Sequence, residues 1–296
     1  MENRQRQMAE FADLLEKYAL QDGINPTRVE DVSIIRHSTC NQYVPEVYDP
    51  CMIIGAQGKK QIYVETTPYD YRAGNLLTVV LPVPATCAVV EATPDKPLLA
   101  MLIWFDLNRL MTVLSRLDMI DPVSAKPNAD QSSGIFSTAI EAKLLDAVIR
   151  LLKLLDDPIE AVMLSDALLD EIYFRILNDK QGEALKYHLR QRGQIWQISH
   201  AIEHIYQNLD KSVSVEELAD IVNMSISGFH KKFKEVLHVS PLQYAKSIKL
   251  NRARDLILNG ENASEAGYSV GYKSPAQFSR EFKRHFGYSP SATCSN

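Results

Sequence analysis

The sequence has few cysteines, no long apolar run and no strong net charge. Its four cysteines lie far apart and form no CxxC pair, which indicates reduced thiols rather than a disulfide framework or a zinc site. The longest uninterrupted apolar run, Leu98–Phe105, has eight residues, whereas roughly 20 are needed to span a bilayer. The polar amino terminus leads into no apolar segment, so it does not resemble a signal peptide. We therefore expect a cytoplasmic protein with no membrane partner.

The length and the charge distribution point to two domains with different partners. The chain has 296 residues, of which 46% are hydrophobic, and this is enough for two domains with apolar cores. Residues 195–296 hold 12 Lys and Arg against 10 Asp and Glu, whereas residues 1–194 hold 20 against 27. The first 194 residues are thus acidic and the last 102 mildly basic, which makes nucleic acid a candidate partner for the second part.

Short β-branched and aromatic runs, separated by turn residues, fill the region from about Val29 to Phe105. Runs of this length and spacing are typical of an antiparallel sandwich or barrel. The predicted strands cover 33–36, 51–54, 60–64, 75–80, 86–90 and 98–104. A short helix is predicted before them, over 8–19, and a loop after them, over 121–134.

Two amphipathic helical patterns follow, over about 139–155 and 158–177, and a short Asp-Asp-Pro turn joins them into a helical hairpin. Its apolar faces exceed what docking on a barrel needs, so we expect the hairpin to contribute to a dimer contact. The residues expected in that contact are Leu144, Leu151, Leu164 or Leu168. The polar stretch 178–192 is the predicted linker, and helices are predicted from Ile195 onward.

The last hundred residues contain a degenerate repeat with an offset of 48 to 49 residues. Each copy consists of a short helix, a tight turn and a second helix opened by a serine. Ser225 and Ser274 are therefore placed to act as N-caps. The repeat predicts two helix-turn-helix motifs, over about 214–237 and 263–286, joined by one helix over 241–258.

In both copies the second helix turns a polar, cationic face outward. A single face of this kind is more often simply solvated, but two copies in register favour insertion into the major groove. Short side chains there reach base edges, Lys and Arg neutralise phosphates, and successive grooves lie about 34 Å apart. The residues predicted to contact DNA are Ser225, Ser227, His230, Lys231, Lys234, Lys273, Ser274, Ala276, Gln277, Arg280, Lys283 and Arg284.

The last hundred residues resemble the DNA-binding domain of the AraC/XylS family of bacterial transcription regulators. The motifs that carry the resemblance are Leu218-Ala219, Phe233, Ser240-Pro241, Ala253-Arg254, Val270-Gly271-Tyr272, the run from Gln277 to Lys283, and Phe286-Gly287. The front half is similar to the AraC-type amino-terminal domain, a cupin-like β-barrel followed by helices. Its matching motifs are Tyr48-Asp49-Pro50, Gln57-Gly58-Lys59-Lys60 and Glu91-Ala92-Thr93-Pro94.

The resemblance implies an α+β protein of two domains. Residues 1–180 would form a cupin-like domain for effector sensing and dimerisation, with the helical hairpin at about 139–177, and residues 195–296 would bind DNA. The implied function is sequence-specific regulation of transcription, more often activation than repression, in response to a small-molecule effector. The implied partners are double-stranded promoter DNA, RNA polymerase, the effector and a second copy of the chain.

The sequence departs from the family pattern at several places, two of which concern the recognition helices and their packing. His238 stands where the family prefers glycine, at the end of the first recognition helix. In the second copy Ala266-Gly267 replaces the usual Ile-Ala pair. An interior glycine there would weaken its helix by about 1 kcal/mol.

Catalysis has little support in the sequence. Metal-dependent cupins need a cluster of histidines with a carboxylate, and the predicted barrel region holds only His37. His200 and His204 are four residues apart with no third ligand nearby, which is typical of a surface pair. We therefore predict no metal, no cofactor and no enzymatic activity. The alternatives are a metal-free cupin enzyme with an accessory DNA module and an architectural DNA-binding protein, which would discriminate poorly between sequences.

The ligand site is marked less clearly than the DNA-binding face. Cys51 and Cys87 lie inside predicted strands, where a thiol is more often a small buried hydrophobe than a redox sensor. Four polar groups on or beside strands are candidates to line a pocket, although they are about as easily explained as solvent-facing. They are Arg36, Gln57, Tyr71 and Glu91.

Overall fold

The computed structural model describes residues 2–64, 66–120, 134–179, 182–190 and 192–295. They form a β-rich amino-terminal half with two sheets and a helical carboxyl-terminal half, which confirms the predicted α+β architecture of two parts. Of the loop predicted at 121–134, residues 121–133 lie outside the described residues. None of the described helices is long and apolar enough to cross a bilayer.

All strand pairs in the two sheets are antiparallel. The strands are β1 (Gly23–Pro26), β2 (Val32–His37), β3 (Val44–Tyr48), β4 (Cys51–Gln57), β5 (Lys59–Val64), β6 (Thr67–Arg72), β7 (Asn75–Val79), β8 (Val83–Glu91), β9 (Leu98–Trp104) and β10 (Ile135–Ala139). The first sheet has the order β1-β2-β9-β4-β7-β10 and the second β3-β8-β5-β6. All six predicted runs form strands.

The four strands that the sequence pattern does not predict are the four edge strands, β1, β10, β3 and β6. Three of them contain a proline, Pro26, Pro45 or Pro68. Edge strands tolerate proline and need to bury only part of their surface, so their apolar alternation is weak.

The first sheet is buried on both faces. Along β4, Met52 and Ile54 pack with the core that includes the helices of the first half, whereas Cys51 and Ile53 pack with the core between the sheets. Because alternate residues of a strand point to opposite faces, a doubly covered strand is apolar throughout. This explains the eight-residue run that ends at Phe105.

One helix precedes the strands, one lies between β9 and β10, and the others follow β10. They are α1 (Glu2–Tyr18), α2 (Leu107–Ile120), α3 (Ala142–Lys153), α4 (Pro158–Leu177), α5 (Gly182–Arg190), α6 (Arg192–Gln207), α7 (Val215–Ile221), α8 (Ile226–Leu237), α9 (Pro241–Leu258), α10 (Ala263–Ser269) and α11 (Pro275–Phe286). The predicted hairpin is α3–α4, and the predicted joining helix is α9. Helix α2 is not anticipated by the sequence pattern.

Two expectations about this helical region need correction. Leu144 and Leu151 are 2% and 1% exposed, so they belong to the core of the monomer and cannot reach a partner. The predicted linker at 178–192 contains α5, whose Leu185 and Leu189 are buried. Their i, i+4 spacing forms one apolar stripe within an otherwise polar segment.

The two halves of the molecule are in direct contact. One apolar cluster runs from the core between the sheets into α6, α8 and α9. The amide of Gly134, just before β10, donates to the carbonyl of Val236 in α8 at 3.0 Å. The predicted linker at 178–192 therefore does not separate two halves that lack contacts with each other.

Candidate nucleic-acid interface and interdomain cavity

Side-chain caps fix the start of both recognition helices. Ser225 Oγ accepts from the amide of Gly228 at 3.2 Å and begins α8. Ser274 Oγ accepts from the amide of Gln277 at 3.4 Å and begins α11. Both predicted N-caps are present, so these hydroxyls hold the helix ends.

Pairs of tilted phenylalanine rings pack on the inner faces of α8 and α11. The rings of Phe229 and Phe233 lie 5.4 Å apart, as do those of Phe278 and Phe282. All four side chains are buried. Because residues four apart share one face of a helix, the opposite face of each helix points outward.

The packing of α10 on α11 explains the unusual glycine of the second copy. A Cβ built on Gly267 would lie 2.9 Å from Cγ and Cδ1 of Phe278. Glycine has a low helix propensity, but at this position it allows the closest approach of the two helices. The glycine that departs from the family pattern therefore leaves room for the Phe278 ring.

The outward faces carry the residues predicted to contact DNA. Eleven of the twelve are exposed, and Ser274 is half-buried. The side chain of Lys231 is 80% exposed, and its ammonium lies 3.9 Å from Glu235. A loose surface ion pair of this kind contributes little to the free energy of folding. A DNA phosphate can therefore replace Glu235 as the partner of Lys231 at small cost. The individual DNA contacts stay predictions.

Arg284 differs from the other predicted contacts because it lies at the seam, which we define as the contact of β3 with α9 and α11. Together with His285, Lys246 and Thr86 it lines a cavity of about 550 Å³. Burial, followed by the charges of Arg254 and Lys246, lowers the pKa of His285 to about 4. Arg284 is thus close to the β-rich half as well as to the outward face.

A larger cavity of about 710 Å³, here called the interdomain cavity, opens between the β-rich half and α9. Much of its wall is apolar or aromatic, and Tyr71 is the one candidate ligand residue that lines it. The wall includes Ile35, Ile53, Leu102, Trp104, Tyr206 and Ile248.

The other three candidate ligand residues are not brought together with Tyr71. Arg36 forms two loose ion pairs, with nitrogen–oxygen distances of 3.6 and 3.7 Å. Gln57 Nε2 donates to the carbonyl of Pro97 at 2.8 Å. Glu91 is exposed at the end of β8. None of the three lines the interdomain cavity.

An ion pair between a buried lysine and a half-buried glutamate lies in the wall of this cavity. Lys60 Nζ is 2.9 Å from Glu46 Oε2, and the Lys60 side chain is 8% exposed. Burial opposes the charged ammonium, but Tyr71 and Glu46 outweigh burial and raise the pKa of Lys60. Burial likewise opposes the charged carboxylate, but Lys60 outweighs it and lowers the pKa of Glu46. Both groups are therefore ionised at neutral pH.

Sequence reasoning missed Lys60, although the signal was present. In β5 the buried positions alternate as Lys60, Ile62 and Val64. Because residues two apart face the same side of a sheet, a lysine in register with two inward aliphatic residues must also point inward.

Three polar atoms in the cavity wall are buried and have no hydrogen-bond partner among the described residues. They are Tyr48 Oη, Asn251 Oδ1 and Arg254 Nε. Arg254 is otherwise well anchored, because its Nη1 donates to the carbonyl of Pro45 at 2.7 Å and its guanidinium lies 5.1 Å from the Phe286 ring. Buried polar groups are normally satisfied, so a ligand or water with hydrogen-bonding groups fits here.

Among the described residues, the histidines and cysteines form no metal centre, and Cys51 and Cys87 are buried. No group of three or more His, Cys, Asp or Glu among them is placed to hold a metal ion. His204 Nε2 lies 2.9 Å from Glu217 Oε1 of α7, within hydrogen-bonding distance. Burial raises the thiol pKa of Cys51 and that of Cys87, the latter to about 12. Protonated thiols are poor nucleophiles.

Comparison with known families gives two matches. Residues 28–184 match the model described as the AraC-type transcriptional regulator N-terminus, and residues 218–296 match a helix-turn-helix domain. A lactose operon transcription activator of Staphylococcus xylosus is 37% identical over 95 residues, which cover 32% of this chain and 34% of that protein. The match thus spans about a third of that relative's length.

Solved structures with the same fold cover nearly the whole chain. ToxT from Vibrio cholerae bound to (E)-4-(8-methylnaphthalen-1-yl)but-3-enoic acid has a TM-score of 0.61 and 12% identity, covering 89% of this chain and 97% of that one. ToxT bound to an unsaturated fatty acid has a TM-score of 0.57 and 12% identity, covering 89% and 93%. At such identities the likeness concerns the fold alone.

Proposed function

Because the chain belongs to the family of AraC-type transcriptional regulators, we propose that it is a sequence-specific DNA-binding regulator of transcription that responds to a small molecule. The observation that carries the proposal is the pair of capped helix-turn-helix motifs joined by a single helix. Helix α9 has 18 residues and is therefore about 27 Å long. That length suits two recognition helices in successive major grooves, about 34 Å apart.

The test of DNA binding is a comparison of cognate and random sequences. Selection from a random duplex library by the full chain should yield one enriched motif with two half-sites about one helical turn apart. Binding to that motif should exceed binding to random DNA by roughly a thousandfold or more at fixed salt. A ratio near one would favour the architectural alternative instead.

We place the functional boundaries at 1–180 for sensing and dimerisation and at 195–296 for DNA binding. The cytoplasm is the proposed site of action. Activation through RNA polymerase is proposed over repression, and the name of the Staphylococcus xylosus relative, an activator, supports it. Catalysis is not proposed, because Lys60 and Glu46, two charged groups of the cavity wall with shifted pKa values, are paired with each other.

We propose the interdomain cavity as the effector site and an amphiphilic organic acid as the effector class. The aromatic and aliphatic wall suits an apolar body, and Tyr48 Oη and Arg254 Nε can both donate to a carboxylate. The organic acids bound to ToxT, which shares the fold, support this class.

Thermal unfolding of the full chain with oleate as the probe tests the effector site. Oleate should raise the melting temperature of the protein, and Tyr48→Phe should reduce that increase. Tyr268→Phe is the matched control, because Tyr268 is 54% exposed on α10, away from the cavity. An equal response of wild type and Tyr48→Phe would remove Tyr48 from the site.

The proposed dimer contact is the outward face of α4. Ile159, Val162 and Met163 are 74%, 74% and 71% exposed, and Leu164 is 48% exposed. Such a cluster of exposed aliphatic side chains is unusual on a monomer. A two-fold contact between two copies would bury the same residues on both.

A further inference from the structure

A second large cleft, of about 750 Å³, lies where α1, α3, α4 and the end of β10 meet. It shares no lining residue with the interdomain cavity or with the seam cavity. The proposed effector and DNA sites therefore make no use of it.

The amino terminus of α3 opens into this cleft. Ala142, Lys143 and Leu144, the first residues of this 12-residue helix, line the cleft. Its N-cap is Glu141, whose side chain makes no capping hydrogen bond. The first amides of a helix have no partner within the helix, and they carry the positive end of its dipole. Backbone donors that attract an anion therefore line one side of the cleft.

A buried hydroxyl without a partner faces the same space. Thr138 lines the cleft and is 9% exposed. Its Oγ1 has no hydrogen-bond partner among the described residues. A buried hydroxyl is costly to leave unsatisfied, and this one can donate to an acceptor in the cleft.

Two arginines add positive charge. Arg4 Nη2 donates to the carbonyl of Ile140 at 2.9 Å, which holds the guanidinium beside the start of α3. Arg175 Nε donates to Glu171 Oε1 at 2.8 Å, but the same carboxylate oxygen also accepts from Arg150 at 2.7 Å. Arg150 also pairs with Asp146, so two carboxylates serve these two guanidinium groups, and Arg175 is ion-paired with Glu171.

The remaining charges in the wall nearly balance. Lys143 adds a positive charge, whereas Glu141 and Asp179 each add a negative one. With the two arginines, the lining groups have a formal net charge of +1, and Glu171, which pairs with Arg175, brings the local sum to zero. The amino terminus of α3 is therefore needed to favour an anion.

We propose that this cleft binds the phosphate group of a small phosphorylated ligand. A phosphate has enough acceptor oxygens to meet the α3 amides, the Arg4 fork and the Thr138 hydroxyl together. The volume falls within the range of small-molecule sites and leaves room for an organic part beside Phe174, which is 43% exposed.

Calorimetric titration of the full chain tests the proposal with three probes: inorganic phosphate, glucose 6-phosphate and glucose. We expect saturable binding of both phosphates, tighter for glucose 6-phosphate, and none of glucose. Arg4→Gln and Thr138→Val should each weaken phosphate binding by about tenfold, because each removes one hydrogen bond to a charged group.

Two control variants separate the cleft from general charge and packing effects. Arg6→Gln makes the same charge change on an exposed residue of α1 that does not line the cleft, and Thr78→Val removes another buried, unpartnered hydroxyl elsewhere. Both should bind phosphate like the wild type. Absence of saturable phosphate binding, or equal weakening by Arg4→Gln and Arg6→Gln, would overturn the proposal. Arg4 is exposed, so Arg4→Gln remains informative if Thr138→Val fails to fold.

Discussion

Individual residues in the two helix-turn-helix copies occupy equivalent places under different local constraints. His238 ends α8 with φ of 58°, and Gly287 ends α11 with φ of 85°. Both donate a backbone hydrogen bond to a lysine carbonyl one turn earlier. A non-glycine residue is strained in this left-handed region, so the first copy tolerates a cost that the second copy avoids.

Gly287→Ala should lower the free energy of unfolding by about 1 kcal/mol. A Cβ at Gly287 would meet nothing within 4 Å, so the loss would come from the backbone alone. Denaturant unfolding measures it, and Gly287→Asn is the control, because asparagine accepts this conformation more readily. Equal losses for the two variants would point to a cause other than backbone strain.

Gly267→Ala should also destabilise the protein, by about 1–3 kcal/mol, since the new methyl group would press on the Phe278 ring. The sign is informative, because glycine to alanine in an open helix is stabilising by about 1 kcal/mol. Ser269→Ala, at an exposed position of α10, controls for helix propensity. A stabilised Gly267→Ala would show that α10 and α11 can separate freely.

Arg280→Ala and Lys234→Ala should affect DNA binding differently. Arg280 lies on the outer face within the first two turns of α11, where bidentate contact with a guanine is feasible, so its loss should cost roughly 1–3 kcal/mol on cognate DNA and much less on random DNA. Lys234 lies in the last turn of α8. Its loss should weaken both by similar factors and reduce the salt slope by about one unit. Binding titrations of both variants against both DNAs at several salt concentrations test these expectations. If Arg280→Ala loses equal affinity for cognate and random DNA, Arg280 is a phosphate contact.

At the scale of elements, the sequence pattern predicted central strands and long helices but not the sheet edges. Strands such as β4 and β9 are covered on both faces, and continuous burial leaves an uninterrupted apolar run. Edge strands such as β6 bury one residue in six, Tyr71, so alternation is not needed for their stability. The candidate sites differ in the same way. The sequence repeat was enough to locate the recognition helices. The interdomain cavity depends on strand register and on the contact of α9 with β3, and a local sequence pattern cannot show either of these.

Met163→Glu, on the exposed face of α4, should shift the protein from dimer to monomer in sedimentation velocity while its melting temperature stays near that of the wild type. Leu151→Glu should instead unfold the hairpin, because it would bury an unpaired carboxylate. Leu258→Glu places the same charge on an exposed leucine at the end of α9 and is the control. A wild type that sediments as a monomer would rule out the α4 contact.

At the scale of the whole molecule, the seam links the fold to pH. The unfolded state protonates His285 near its ordinary pKa of 6.5, whereas the folded state keeps it neutral down to about pH 4. Stability from this group is therefore complete above pH 6.5 and is lost as the pH falls toward 4, by up to about 3 kcal/mol. Its charged neighbours at the seam are Arg254 and Lys246 on α9, Arg284 on α11 and Glu46 on β3.

Denaturant unfolding at pH 7 and at pH 4.5 tests this linkage. The wild type should lose more stability between the two pH values than His285→Gln, which cannot take up the proton. Carboxylates elsewhere titrate equally in both proteins, so their contributions to the loss of stability cancel in the comparison. Identical losses would show that His285 is solvated in the folded protein.

The Lys60–Glu46 pair has a consequence for how such a protein can diverge. Removing Glu46 alone would leave the buried Lys60 ammonium uncompensated, at a cost of about 3–5 kcal/mol, whereas replacing both residues with apolar ones is often neutral. Tyr48 and Asn251 are uncharged, so single substitutions there can alter ligand preference gradually across a lineage without leaving a charge unpaired. At positions 46 and 60 the intermediate genotypes are penalised, so the two residues should be inherited together or exchanged together.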